Sequence, residues 1–399
     1  MKLNYIFVFL SIFLFSCQFG SQRQQAGNLS VINIAANHPR KEIRLQDIAT
    51  IEYIALETTD NVLLGRMSFL SHVSDKYIVV LEAGGSGDIF IFNRSGKIVS
   101  YFNRRGQGGE EYINFSNVIL DENTEEVFVF DNQRNRILVY SMSGEYKRTL
   151  RFSDDLNIRI GSAFNFDNET MLVYDNALLA YSDGHVRNEI PYMLLSKKDG
   201  SIIYSFDIRL PIRYLNRIAQ AIDVGRERMF IPLSITTPNN KHYGQDFVIA
   251  NISSDTIYLL TQDRVVTPLL VRRPSVHSSE PRRVLTSLLK TDKFIILQKT
   301  TLDFVAAERG RPVQPIILMH KFETGKTYNV SFVDADLGGS WTPSGSLAPA
   351  IGRNMDATLI PVIVFKAAYE RNRLNSELKQ FVSALDEDDN PVVRIVTFK

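Results

Sequence analysis

Apolar residues in this chain fall in short runs divided by polar turns, and the runs come in pairs. Ile89–Val99 reads as one apolar run, a polar turn and a second run. The pattern recurs at Ile137–Tyr146, Met193–Ile203, Phe247–Tyr258 and Ile316–Tyr328. Each turn carries Gly or Asp, as a hairpin requires where the backbone takes a positive φ or an Asx-type bond. Gly144 lies 48 residues after Gly96, and Gly200 lies 56 after Gly144; Asp255 follows 55 later and Gly325 another 70 later. A strand-only unit repeating at roughly 40–50 residues predicts a β-propeller, with loop insertions where the spacing grows.

A further apolar run precedes each hairpin: Tyr77–Leu81, Val127–Phe130, Met171–Tyr174, Met229–Pro232 and Phe294–Leu297. This predicts five blades of four antiparallel strands. A sixth must be assembled from the ends, from Pro391–Phe398, Ile360–Phe365 and the strand-like stretch Ile43–Leu56. Pairing the two termini in one blade closes the ring and removes two exposed edges. The expected fold is therefore an all-β, six-bladed propeller over residues 41–399, closed by N- and C-terminal strands. One helix is expected in the last blade, over Ala367–Leu385, where Leu374, Leu378, Phe381, Val382 and Leu385 fall at helical spacing.

The N-terminus follows a different pattern. Tyr5–Phe15 is almost unbroken apolar sequence behind Lys2. As a helix it would reach about 17 Å, short of the roughly 30 Å of a bilayer core. It reads as a signal peptide over residues 1–16. Leu14-Phe-Ser-Cys17 resembles the bacterial lipobox, which implies diacylglycerol on the Cys17 thiol and cleavage before it. Cys17 is the only cysteine, so it has no disulfide partner within the chain. Residues 17–40 then read as a lipidated, flexible tether. Residues 18–30 contain no Asp or Glu, and the first acidic residue is Glu42. Bacteroidetes surface lipoproteins tend to carry an acidic cluster there, so the expectation is an outer-membrane lipoprotein facing the periplasm.

The formal net charge of +1 leaves no basic stripe for nucleic acid. The six histidines are dispersed, with no His-Glu-x-x-His or Cys pair to hold a metal. No Gly-x-Ser-x-Gly elbow occurs.

The segment Gly106-Gln-Gly-Gly-Glu-Glu-Tyr112, followed by Val118–Asp121, Val127–Asp131 and Asn135-Arg-Ile137, resembles the NHL-type propeller repeat. The mature chain as a whole is similar to six-bladed propeller lipoproteins of Bacteroidetes, within the NHL-like and TolB-like superfamily. Leu56-Glu-Thr-Thr-Asp60 and Asn390-Pro-Val-Val393 match their opening and closing strands. Gly109 and Glu110 stand where that family has Pro and Gly. The resemblance implies the fold; the family has no common activity to carry over.

Candidate sites follow. In the loop Arg104–Tyr112, glycines let backbone amides approach a ligand, and Arg104 and Arg105 offer charge-assisted contacts beside Glu110, Glu111 and Tyr112. A tight turn accounts for the same glycines. Asp121, Asp131, Asn135 and Arg136 at strand ends read either as a polar ring at the channel or as blade staples. Trp341, in a Gly/Ser/Pro-rich loop, is a stacking candidate for a sugar or peptide unless it folds back on the propeller edge. Asp255-Thr256-Ile257 resembles the Bacteroidetes O-glycosylation triplet, with Thr256 as acceptor. No cofactor is implied. The expected role is a lipid-anchored module binding an unknown protein or glycan without catalysis. The alternative is a propeller hydrolase or lyase acting on glycans, with acidic residues or Ca²⁺ at the channel mouth.

Overall fold

The structure, a computed structural model, describes residues 29–399 apart from 83–85, 152–157, 177–187, 215, 225–226, 236–240, 279, 303–313, 344–351 and 353, with backbone alone over 216–235. The expected signal peptide over residues 1–16 and the expected lipid-attachment residue Cys17 lie outside the described residues.

The chain begins along the outside of the ring. β1 (Ser30–Asn33), β2 (Arg40–Arg44), the short helix α1 (Leu45–Ile48) and β3 (Ala49–Ala55) come first. Blade 1 is β4 (Ser68–Val73), β5 (Tyr77–Glu82), β6 (Asp88–Asn93) and β7 (Ile98–Asn103). Blade 2 is β8 (Asn117–Asp121), β9 (Glu126–Asp131), β10 (Arg136–Ser141) and β11 (Tyr146–Arg151). Blade 3 is β12 (Ile160–Asn165), β13 (Thr170–Asp175), β14 (Tyr192–Ser196) and β15 (Ile202–Ser205). A separate hairpin, β16 (Asn216–Val224) and β17 (Glu227–Ile235), precedes blade 4. That blade is β18 (Lys241–Tyr243), β19 (Asp246–Ile249), β20 (Thr256–Leu260) and β21 (Val266–Arg273). Blade 5 is β22 (Arg282–Lys290), β23 (Phe294–Leu302), β24 (Ile316–Lys321) and β25 (Thr327–Val333), with the short β26 (Ser340–Trp341) also on β25. Blade 6 holds β27 (Met355–Ile360) and β28 (Val392–Phe398), paired in the order β27-β28-β3.

Strands inside a blade bury both faces, which is why they read as apolar runs rather than alternations. In β9, Val127 and Val129 point into the core shared with blade 1, while Phe128 and Phe130 point into the core shared with blade 3. Equivalent cores lie between each remaining pair of neighbours around the ring. The turn glycines serve this packing as well as the hairpins. Gly96 has φ +81, and a Cβ there would sit 2.0 Å from Ala55 O of blade 6. A Cβ on Gly144 would meet the Phe102 side chain of blade 1 at 2.5 Å. Any side chain at either position would push neighbouring blades apart.

Closure joins both ends of the chain, as the sequence predicts. β28 pairs antiparallel with β3 from Ala49↔Phe398 to Ala55↔Val392. Asn390 locks the seam: its Oδ1 accepts from Leu64 N, and its Nδ2 donates to Glu57 O and Val62 O, each at 2.8 Å. The sixth blade thus presents three described strands where four were expected.

Three expectations shift. Pairing with the ring begins at Ser30, not near residue 41, because β1 runs parallel to β21 and Ile32 and Ile34 enter the core between blades 4 and 5. β2 likewise runs parallel to β25, so the N-terminal segment skirts blades 4 and 5 before entering blade 6. In blade 4, Phe247–Tyr258 spans the second and third strands rather than the third and fourth, and Met229–Pro232 lies in the β16–β17 hairpin. The single expected helix is two, α2 (Val362–Glu370) and α3 (Ser376–Ser383). The strand expected over Ile360–Phe365 ends at Ile360, and Pro361 opens α2. Asn372, at φ +53, breaks the helical path, and the Asn375 side chain caps α3 by accepting from Leu378 N. Among the described residues, no helix is long and apolar enough to cross a membrane.

Candidate functional site

The glycine-rich loop is clamped by blade 2. Arg134 donates to the carbonyls of Gln107 and Gly108 at 2.9 and 3.0 Å. Arg136 donates to Gly109 O at 2.7 Å and to Glu111 O. The Tyr140 hydroxyl donates to Glu110 O at 2.7 Å. Five successive carbonyls are therefore satisfied by blade 2. The amides turn inward too: Gly106 N donates to Tyr112 O, and Gly108 N to the Glu111 carboxylate. Arg104 Nε reaches Gly144 O, and Arg105 Nε reaches Ile113 O. Tyr112 is fully buried and donates to Gly87 O. The loop brings Arg104, Arg105, Glu110, Glu111 and Tyr112 together, as a latch between blades 1 and 2.

The strand-end residues belong to the same scaffolding, so the polar-ring reading is replaced by stapling. Asp131 and Arg136 form a buried ion pair at 3.3 Å, 0% and 5% exposed. Asn135 takes the left-handed turn position at φ +50. Asp121 pairs with Lys197 of blade 3. Trp341 is buried, not exposed; Phe332 lies edge-on to it and Phe398 also packs against it, so its ring closes the seam between blades 5 and 6. Stacking on a ligand would require that seam to open. Thr256 is half-buried at the start of β20, with its amide donating to Ser254 Oγ. Its neighbour Asp255 accepts from Val276 N.

Among the described histidines, His72 and His242 line one cavity, and His185 lies outside the described residues. Among the described residues, no group of three or more His, Cys, Asp or Glu could hold a metal ion. Near the axis, β4, β8, β12 and β18 enclose a cavity of about 40 Å³ lined by Ser71, His72, Asn117, Ser162 and His242. A space of that size holds a few water molecules at most. His72 contacts Glu122 of blade 2 at 2.6 Å. Burial opposes ionisation of the Glu122 carboxyl, but the His72 and Ser74 bonds outweigh it and hold the group below its usual range. Burial pushes His242 down to about 3, so its ring is neutral.

A larger concavity opens where the turns of three blades meet. It measures about 660 Å³, within the usual range for small-molecule sites. Its floor is the ion pair of Lys197 with Asp121, at 2.6 Å and 6% and 0% exposed, with Lys197 Nζ also donating to Asp167 O. Its wall is Glu126, held by two bonds from Arg148 at 2.7 and 2.8 Å and by Lys147 at 3.2 Å. The Arg148 bonds hold the Glu126 carboxyl below its usual range. Blade 3 adds Asn168, Glu169 and Lys198, and the blade 4 turn adds Arg264, 3.5 Å from Asp167. Burial alone would raise Asp167, but bonds from the Glu169 amide and from Thr170 hold it low. Exposed Ile203 supplies an aliphatic flank. The cleft combines turns of separate blades, so no local motif announces it. The sequence marks two of its parts separately, Asp121 at a strand end and the polar Ser-Lys-Lys-Asp-Gly turn at 196–200.

No curated protein matches this sequence. The structure is similar to that of a Bacteroides fragilis NCTC 9343 protein inferred to be exported, at TM-score 0.59 and 13% identity, covering 90% of this chain and 99% of that one. That likeness supports the fold. A DUF4221 family member from Bacteroides vulgatus ATCC 8482 aligns at TM-score 0.46 and 11% identity, over 89% of this chain and 99% of that one. The model of the family described as Domain of unknown function (DUF4934) matches residues 29–397, and this six-bladed propeller belongs to that family.

Proposed function

We propose that the protein is a lipid-anchored cell-envelope propeller that binds a ligand or protein partner in the cleft between blades 2 and 3, without transforming it. The cleft carries this reading. It is open, of ligand size, and built from charged side chains set by rigid turns, whereas the glycine-rich latch uses its polar groups internally. The lipobox-like Leu14–Cys17 supports attachment through Cys17, and the non-acidic stretch after it supports an outer-membrane lipoprotein facing the periplasm. The NHL-like character rests on the Gly106–Ile137 segment.

Capture from envelope extracts tests the reading, comparing the lipidated protein with a variant carrying Lys198→Ala and Arg264→Ala. The expected result is a reproducible ligand or partner held by the first and lost by the second. Capture of nothing, or of the same set by both, would overturn it.

A second reading is a hydrolase or lyase acting on glycans at the channel mouth. The His72–Glu122 contact favours it, since an imidazole against a carboxylate is the arrangement of an acid–base pair. The adjoining cavity admits water but no sugar ring. Glycan cleavage abolished by His72→Ala in a folded variant would establish this reading over binding.

A further inference from the structure

The cations and anions of the cleft are not balanced in how they are used. Asp121 is sealed, accepting from Lys197 and from Asn123 N. Glu126 is held by Arg148 and Lys147. Asp167 directs Oδ1 to Glu169 N and to both donors of Thr170. These carboxylates are tied to the scaffold and turned from solvent to different degrees. The cations at the rim are used unevenly: Arg148, 34% exposed, spans both Glu126 oxygens; Arg264, 39% exposed, lies 3.5 Å from Asp167, itself 31% exposed; and Lys198 is exposed. Exposed Glu169 is the acidic group opposing them. The same cleft is lined by exposed Thr124, by Asn168, whose amide oxygen accepts from Asn123 Nδ2, and by exposed Ile203.

We infer that this cleft takes an acidic saccharide. Its carboxylate or phosphate would meet Lys198 and Arg264, and its ring hydroxyls would meet Thr124 and the Asn168 amide. Guanidinium groups suit planar, two-oxygen anions, and polar hydroxyl and amide groups suit a sugar ring better than a bare anion. The inference rests on the cleft being the binding site and adds the chemistry of its ligand.

The test is calorimetric titration of the intact protein with trigalacturonate, glucose 6-phosphate, maltotriose and inorganic phosphate. Trigalacturonate or glucose 6-phosphate should bind at least about tenfold tighter than maltotriose and phosphate, and weaken as salt rises. Which of the two binds tells carboxylate from phosphate. Lys198→Ala with Arg264→Ala should lower that affinity about tenfold or more, a change of roughly 1.4 kcal/mol or more, with an unchanged thermal midpoint showing an intact fold. Inorganic phosphate binding as tightly as either acidic sugar means an adventitious ion only and overturns the inference. So does maltotriose binding equally well, binding that ignores the substitutions, or no binding. If maltotriose binds equally and the variant loses it, the acidic ligand class falls while the cleft stands. If the variant changes neither titration nor envelope capture, both fall.

Discussion

Replacing Arg136 with Met tests how the two best-matched blades are held together. Arg136 is 5% exposed and pairs with Asp131, which is fully buried. The same guanidinium holds the carbonyls of Gly109 and Glu111. Removing one partner of a buried pair costs about 3–5 kcal/mol, because the other charge is left uncompensated. Each carbonyl that loses its donor and stays dry adds about 1–3 kcal/mol. Water reaches the exposed loop, so the lower figure applies to the two carbonyls, and a total of about 5–7 kcal/mol is expected. That is a large share of the roughly 5–15 kcal/mol that keeps a domain folded. Urea unfolding, with proteolysis of the 104–112 loop as a local probe, measures both effects. Combining Arg136→Met with Asp131→Asn should be less damaging than the sum of the single changes by about 2 kcal/mol, since the orphan charge is gone. A loss below about 1 kcal/mol for Arg136→Met, or strict additivity in the double variant, would refute the buried-pair reasoning.

Other outcomes follow from the same geometry. Lys197→Met should destabilise by about 3–5 kcal/mol in urea unfolding, because Asp121 would stay buried and unpaired. Asn390→Ala should lower stability by at least about 2 kcal/mol and speed amide exchange at Leu64, whose partner is lost. Glu126 is held below its usual range by Arg148, so its stabilisation is present above the ordinary glutamate pKa of about 4.3 and lost as pH falls through the lower folded value. The thermal midpoint of the wild type should therefore fall more steeply below about pH 4 than that of Glu126→Gln; parallel curves would contradict this.

Much of the ring was legible because blade strands bury both faces and hairpin turns need special backbone. Gly96, Gly144, Gly200 and Gly325 all take positive φ at turns read from sequence. The phase of blade 4 was not legible. β18 has three residues, too short to show a pattern, while Met229–Pro232 sits in a longer hairpin that imitates the missing strand. The parallel strands β1 and β2 were hidden because they pair with blades 4 and 5, more than 200 residues away in sequence. Trp341 lay in a loop-like context, yet its ring was drawn inward by Phe332 and Phe398. The cleft was not legible for a related reason: Asp121 is marked by its strand-end place in the repeat, but its partner Lys197 lies 76 residues on in another blade, and no local pattern joins them.

The proposed anchor would determine what the cleft can meet, so Cys17 is the residue to measure. Cells expressing the wild type and Cys17→Ala would be fed an alkyne fatty acid, and the protein followed through membrane flotation. The expected result is label on the wild-type chain floating with outer-membrane vesicles, and an unlabelled, soluble Cys17→Ala chain. An unlabelled wild type, or label and flotation that survive Cys17→Ala, would contradict the lipid anchor.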